Sequence, residues 1–484
     1  MNLQKNNLKL FIFLILLLQI IIIGSNQIMA AEAESLSIEK AIELGTKNNR
    51  QLENIRYNIA EIKSQLNSIE SINKLHLFVN GNSKYIDGID NQYLNNSTLK
   101  NGSQIAMKIN LSKKLNPRHD ISASLQINDS NSSELDELKE KYNFSLDLNS
   151  NLYPVIPTKN EVNQLETLNR LKAEKNKLNN QIMVKKFEWI ERFLDLSKYS
   201  SKIKLSKDRL RLEKKLLERT LSQKEIGEAV DVDILTARIG VQEAELILQN
   251  LINNQNEIKN KLLTDLGLTN KTLKLTANEE EVANIKEKIK DKIKNTEIDL
   301  TDKNDLFKLL VKNNYQLENL KTSKDLANKK IKWEKKDRGL DINTNAGYNY
   351  NQKVKDDYWE IGFEVSYEIL DGGTAKNKLT DRKRESEKIK KDYNYTLKKL
   401  KLDLDKMIEQ YLTAKNSYTV YQLKHKRAKL QLDKAEMKFK DGVIAKDEIK
   451  RKEIIFKESM IVLEKARDKI LIERLKIIRF LGLI

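Results

Sequence analysis

Apolar positions along the chain follow two spacings, and the switches between them divide it. After Ser37, Leu44, Leu52, Ile55, Ile59, Ile62, Leu66 and Ile69 keep to one face at three- and four-residue steps, predicting a helix over 37–74 with Ser37 as its N-cap. From Leu75 the period becomes two. Ile105, Met107, Ile109 and Leu111 alternate with Ala106, Lys108, Asn110 and Ser112; Ile121, Ala123, Leu125 and Ile127 alternate with Ser122, Ser124, Gln126 and Asn128. Phe144, Leu146, Leu148 and Leu152 continue the alternation, and a weaker strand starts at Leu75-His76-Leu77. Runs of about ten residues suit a membrane-spanning strand. A soluble sheet with one wet face has the same local pattern, so the alternation alone leaves both open.

Two stretches then lack every helix breaker. Thr158 to Ile226 follows Pro154 and Pro157 and stops at Gly227; Thr374 to Asp441 follows Leu370-Asp371-Gly372-Gly373 and stops at Gly442. With no Gly or Pro in either, each predicts one helix of roughly 100 Å at about 1.5 Å per residue. Helical spacing resumes after each break, through Ile234 to Leu266 in one case and Phe456, Met460, Leu463, Ala466, Ile470, Leu475 and Ile478 in the other. The last set is a narrow seam of coiled-coil type, so each long helix is expected to pair antiparallel with its successor.

The pattern occurs twice. Lys47-Asn48-Asn49-Arg50-Gln51-Leu52-Glu53-Asn54-Ile55 returns as Lys312-Asn313-Asn314-Tyr315-Gln316-Leu317-Glu318-Asn319-Leu320. Strands follow again, with Leu340, Ile342, Thr344, Ala346, Tyr348 and Tyr350 alternating in one and Trp359, Ile361, Phe363, Val365, Tyr367 and Ile369 in the next. Gly227 to Gly267 and Gly442 to Gly482 each enclose 39 residues, and Leu266-Gly267-Leu268 matches Leu481-Gly482-Leu483. The expected fold is mainly α with membrane β: helix, strands, long helix, Gly break, helix, duplicated.

Charge and composition narrow the partners. A net charge of +18 raises the question of nucleic acid, but 88 basic and 70 acidic residues are interleaved without a long single-sign block, the pattern of a solvated helical surface. The absence of cysteine excludes thiol chemistry, Cys-ligated metal and lipid attachment at a lipobox. Lys5 and Lys9, the apolar Leu10–Ile23 stretch and the small residues of Met29-Ala30-Ala31 predict a signal peptide over 1–31, with cleavage after Ala31 or Ala33. His76, His119 and His425 lack metal-ligand spacing, and no phosphate loop or nucleophile elbow stands out, so no enzyme, metal or cofactor is expected.

Taken in order, these segments resemble the TolC-like outer-membrane efflux protein family over essentially the whole mature chain. The resemblance rests on Leu36-Ser37-Ile38-Glu39-Lys40-Ala41-Ile42 with Asn48-Asn49, on the turn Ile369-Leu370-Asp371-Gly372-Gly373, and on the closing Leu481-Gly482. It rests also on Gly227 followed by Asp233-Ile234-Leu235-Thr236-Ala237, which looks like the family's Gly-x5-Asp-[Val/Ile]-Leu-x-Ala signature. The family implies a homotrimer whose strands form one shared barrel of twelve, a trimeric β-barrel continued by a long α-helical barrel into the periplasm. It implies an exit duct of a tripartite efflux or type I secretion system, set in outer-membrane lipid. Its partners would be a periplasmic adaptor (membrane fusion) protein and an inner-membrane transporter.

The domain expectation is a first repeat over 32–270 (strands about 75–152, long helix 158–226) and a connector, the equatorial region, over 271–300. A second repeat covers 301–484 (strands about 340–370, long helix 374–441). By resemblance, Ile226, Gly227, Gly442 and Val443 are candidates for adaptor contact and Asp233 and Glu448 for an acidic constriction, weakened at the second turn by Lys446, Lys450 and Arg451. Asp371, Gly372 and Gly373 form the strand-to-helix turn. The first half departs from the family in carrying about four strand-like runs instead of two; the surplus hairpin near 103–128 is either an extracellular extension or extra barrel strands. The competing readings are a surface coiled-coil adhesin, which leaves the duplicated strands unexplained, and a soluble scaffold or nucleic-acid binder, against which the signal peptide stands.

Overall fold

The computed structural model describes residues 37–86, 102–132, 141–268, 279–296, 298–337, 339–352 and 356–483. The signal-peptide segment lies outside them, as does part of the connector. In chain order the elements are α1 (Ile38–Asn48), α2 (Arg50–Ser71), β1 (Leu75–Ile86), β2 (Gly102–Asn116), β3 (His119–Ser132), β4 (Lys141–Tyr153), α3 (Lys159–Glu225) and α4 (Asp231–Asp265). The remainder are α5 (Glu279–Lys294), α6 (Lys303–Asn313), α7 (Tyr315–Lys336), β5 (Leu340–Asn351), β6 (Asp356–Tyr367), α8 (Thr374–Lys440) and α9 (Lys446–Phe480). The two breaker-free stretches are single helices of 67 residues each.

The single helix expected over 37–74 is two. Asn49 leaves the helical backbone region, and its side-chain oxygen accepts from Gln51 N at 3.1 Å and Leu52 N at 3.2 Å. The corresponding stretch of the second repeat breaks in the same way at Asn314, which accepts from Gln316 N and Leu317 N. A short side chain that satisfies the first free amides of a helix restarts it, which a seven-residue apolar pattern does not register. Ser37 does cap α1, accepting from Lys40 N at 3.3 Å.

Four glycines end helices in one geometry. Gly227, Gly267, Gly442 and Gly482 have φ between 70° and 79°. At each, two successive amides fold back onto the last turn, as Gly227 N on Lys224 O and Glu228 N on Gln223 O, or Gly442 N on Phe439 O and Val443 N on Lys438 O. This Schellman geometry needs a left-handed residue, hence Gly. The equal interval within each pair, Gly227 to Gly267 and Gly442 to Gly482, is therefore the equal length of the returning helices α4 and α9, 35 residues each.

The chain divides into two compact units: residues up to Glu53, Ile182–Ile298 and Glu409–Lys476 form one; Asn54–Gln181, Asp299–Ile408 and Ile477–Ile484 form the other. In the first, α3 pairs with α4 through Lys214–Glu245 and Gln255–Ser200, and α8 with α9 through His425, which meets Ser459 at 2.9 Å and stacks on Phe456. Across the repeats, α3 meets α9 over Leu205, Leu212 and Ile454. The layer order is thus α4, α3, α9, α8. In the second unit, Ile55, Ile59 and Ile62 of α2 bury against Leu171 of α3. Lys330 of α7 lies between Glu166 of α3 and Glu385 of α8, at 2.5 and 3.0 Å, which gives the order α2, α3, α7, α8. Burial pushes the Lys330 ammonium down, but its bonds to the two carboxylates outweigh this and its pKa is raised.

The second unit also holds one antiparallel six-stranded sheet in the order β1-β2-β3-β4-β5-β6. The surplus hairpin of the first half is therefore an integral part of the sheet, standing between β1 and β4.

Candidate functional site

Register decides what the sheet can face. The row Leu77, Leu111, Ala123, Leu146, Tyr348, Trp359 runs straight across all six strands, and Val79, Ile109, Leu125, Phe144 and Tyr350 make another. One face is mainly apolar, with Lys113 of β2 and Asp357 of β6 as charged exceptions, and among the described residues it is uncovered: on β4 Phe144, Leu146 and Leu148 are 36–38% exposed, rising on β6 to 63–76% over Trp359, Ile361, Phe363, Val365 and Tyr367. Aromatic residues cluster on this face at the end away from the helices, where Tyr348 lies 4.8 Å from Trp359 and Tyr142 lies 5.9 Å from Tyr350. Tyr153 and Tyr367 stand at the helical end, with the mainly aliphatic Leu146, Leu148, Ile361, Phe363 and Val365 between. A belt of aliphatic side chains between two aromatic girdles is the surface a lipid bilayer fits.

The other face is wet. Ser124 and Ser145 meet at 2.8 Å, Ser145 donates to Asp147 at 3.0 Å, and Asn151 donates to Asn343 at 2.9 Å. The side chains of one strand thus hydrogen-bond those of the next across a surface bearing Lys108, Asp147, Glu360 and Glu364. Among the described residues, the edge strands β1 and β6 have no neighbour on their outer sides.

At the helical end, Asp371 organises the turn into α8. Its carboxylate accepts from Gly373 N at 2.8 Å and Ala375 N at 2.7 Å, while its carbonyl accepts from Thr374 Oγ1. These amide bonds, that from Ala375 foremost, hold its pKa below the ordinary carboxylate value. Gly372 and Gly373 have φ of 62° and 86°, with nothing within 4 Å of where a Cβ would sit, so backbone conformation alone calls for glycine.

The hairpin turns at Gly227 and Gly442 are similarly open, with nothing within 4 Å of either. Left-handed backbone, and not a close approach of neighbouring atoms, therefore calls for glycine there. Ile226, Val230 and Val232 beside the first turn and Val443 beside the second are 64–70% exposed. An ion pair between Lys224 and Asp231 straddles the first turn, and its hydrogen bond lowers the Asp231 pKa.

The constriction candidates part company. Asp233 accepts from Val230 N at 3.0 Å, reaching back over the start of α4. It lines a groove of about 600 Å³ together with Arg209, Glu213, Thr236 and Arg451. Glu448 does not line that groove. Arg451 donates to Glu213 of α3 at 3.0 Å, so its charge is compensated locally.

Two arrangements escaped sequence reasoning. The duplicated Asn-Asn pair is a latch: Asn49 Nδ2 donates to Asp265 O at 2.7 Å and Asn313 Nδ2 to Leu481 O at 3.1 Å. A Cβ on Gly267 or Gly482 would lie 2.8 Å from the Cβ of Asn48 or Asn313. The other is Asp468 of α9, buried with Lys198 of α3 at 2.7 Å and Lys286 of α5 at 3.1 Å from the same oxygen. Neither lysine meets that oxygen in good hydrogen-bond direction, so the contacts are ionic. The periodicity of an isolated helix says nothing about which lysine will face a lone buried carboxylate.

Among the described residues no helix is long and apolar enough to cross a membrane, and no group of His, Cys, Asp or Glu could hold a metal ion. Residues 306–483 match the outer membrane efflux protein family. No curated protein matches the chain. The fold is shared with several solved structures. CusC, described as forming a transmembrane channel, superposes with a TM-score of 0.64 at 10% identity over 93% of this chain and 92% of its own. The CmeC outer membrane channel of Campylobacter jejuni gives 0.62 at 11% over 94% and 90%. The outer membrane protein VceC of Vibrio cholerae gives 0.61 at 12% over 92% and 96%.

Proposed function

We propose, for a chain that has the fold of TolC-like outer-membrane channels and matches the outer membrane efflux protein family over residues 306–483, that it works as an outer-membrane export channel. The observation that carries this reading is the sheet: an uncovered apolar face continuous over six strands, a hydrogen-bonded polar face behind it, and two open edges. Unpaired backbone groups cannot remain in hydrocarbon, so a sheet that enters lipid closes on itself or on copies of itself. Six strands alone cannot enclose water, since about eight are already filled by their own side chains.

Closure on copies is the remaining course, and the homotrimer of the family provides it. The outermost helices of the first unit support it: α4 exposes Val232, Leu235, Ile239 and Leu246, and α8 exposes Val420, Leu423, Leu430 and Met437. The first series runs at three-, four- and seven-residue steps and the second at three and seven, the seams along which neighbouring helices pair. The polar sheet face then lines a passive conduit carrying small molecules or proteins out of the cell. The exposed apolar residues at Gly227 and Gly442 would meet a periplasmic adaptor, which links the channel to an inner-membrane transporter.

The test is extraction. Full-length protein should leave outer membranes only with detergent and run as a trimer; recovery as a soluble monomer after osmotic shock would sink the reading and favour a secreted coiled-coil adhesin.

A further inference from the structure

The two repeats differ in one respect, and it bears on the width of the conduit. In the second, β5 follows the short helices, β6 precedes the long helix, and the two pair directly. In the first, β1 and β4 occupy the corresponding places but are separated by β2 and β3, of 15 and 14 residues, which pair on both sides.

The inserted hairpin is no appendage beyond the sheet. Its turn, at Pro117 and Arg118, lies at the helical end, where β1 begins and β4 ends. There Asn116 Oδ1 accepts from Arg118 N and His119 N, Arg118 O accepts from Asn151 N at 2.9 Å, and the Arg118 guanidinium donates to Ile156 O at 3.1 Å. The turn is therefore tied into the corner that leads to α3. Both inserted strands carry the apolar rows, Leu111 and Ala123 in one and Ile109 and Leu125 in the next, with Lys113 of β2 the charged exception beside Ile121.

From this we infer that each chain contributes six strands to the shared wall, so that three chains close a barrel of eighteen, with β6 of one chain against β1 of the next. The inference rests on the trimeric channel reading. The two edges suit each other: both strands have 12 residues and an even strand number makes the joint antiparallel. With the row Leu77, Leu111, Ala123, Leu146, Tyr348, Trp359 apolar from β1 to β6, the belt continues across the joint when each chain turns that face to lipid. Barrel diameter grows roughly linearly with strand number, so eighteen strands enclose about 1.5 times the width of the twelve implied by family resemblance, in the range where a barrel leaves an aqueous lumen. A second copy is the occupant of these edges because a long edge strand with an exposed apolar face, left open, is a site of uncontrolled pairing.

Electron cryo-microscopy of the full-length protein in lipid nanodiscs counts the strands directly. The expected result is a trimer with eighteen, β2 and β3 in the wall. A membrane trimer with twelve strands and the 102–132 hairpin outside the wall overturns the inference while leaving the channel reading intact, as does a dimer closing twelve. A chain that forms no membrane oligomer removes both. The cysteine-free sequence allows a second measurement in native membranes. Asn80→Cys with Lys108→Cys, partners across β1 and β2, should give a disulfide within one chain. One cysteine at Asn80 or Asn82 combined with one at Glu360 or Glu364 should give reductant-sensitive species of two and three chains. Loss of the first crosslink in a preserved trimer, or absence of the second for every combination, counts against the arrangement.

Discussion

At the scale of single residues, glycine serves two purposes that its spacing alone does not separate. Gly227 and Gly442 are left-handed with open space around them, whereas Gly267 and Gly482 are left-handed and also pressed against Asn48 and Asn313. Alanine at either open turn should cost only the conformational term, roughly 1–2 kcal/mol. Alanine at Gly267 or Gly482 adds a clash with atoms 2.8–3.2 Å away, part of it backbone, and should lower the thermal midpoint further than Gly227→Ala or Gly442→Ala. Equal midpoints for the four variants would contradict the latch.

Asp371 makes a pH prediction of definite sign. Its folded pKa is depressed below 3.8 by amide bonds from Ala375 and Gly373. Its contribution is therefore complete above the unfolded value and is lost as pH falls through the folded one. Protection of the first-turn amides of α8 against hydrogen exchange, taken relative to the intrinsic rate at each pH, should be high at neutral pH and fall only in that acidic window; Asp371→Ala should show the low protection already at neutral pH.

At the scale of elements, the long helices were legible because neither holds a Gly or Pro along its length, and the strands because each keeps a period of two. The breaks at Asn49 and Asn314 were not, because a cap is one side chain meeting two amides. The ionic contact on α9 belongs to this scale as well, since Asp468 draws α3 and α5 onto one helix. Asp468→Asn would leave Lys198 and Lys286 half-buried without their counter-charge, a loss of the order of 3 kcal/mol for a broken buried pair. The measurable outcome is earlier melting of the helices, with Asp468→Glu retaining more of the stability. The constriction candidates were placed from the sequence at equal offsets from two glycines, yet Asp233 caps its own helix while Glu448 lies outside the groove that holds Asp233. Equal offset in sequence does not produce equal surroundings when the packing partners differ.

At the scale of the whole molecule, the proposed trimer and the proposed docking at the open turns can be separated. Gly227→Leu combined with Gly442→Leu places large apolar side chains where nothing lies within 4 Å, so the trimer should survive extraction. Export of the natural cargo should fall if those turns meet the adaptor. Undiminished export by the double variant would move the contact elsewhere.

The duplication, the two breaker-free helices, the alternating strands and the family resemblance were all determined by the sequence, because each is a repeated local pattern. Tertiary structure alone decided that the surplus hairpin stands inside the sheet between β1 and β4, with its turn tied to Asn151 and Ile156. Strand alternation states which side chains share a face and is silent on which strands are neighbours. That choice is made by hydrogen bonds between residues far apart in the chain, and no period along the sequence records it.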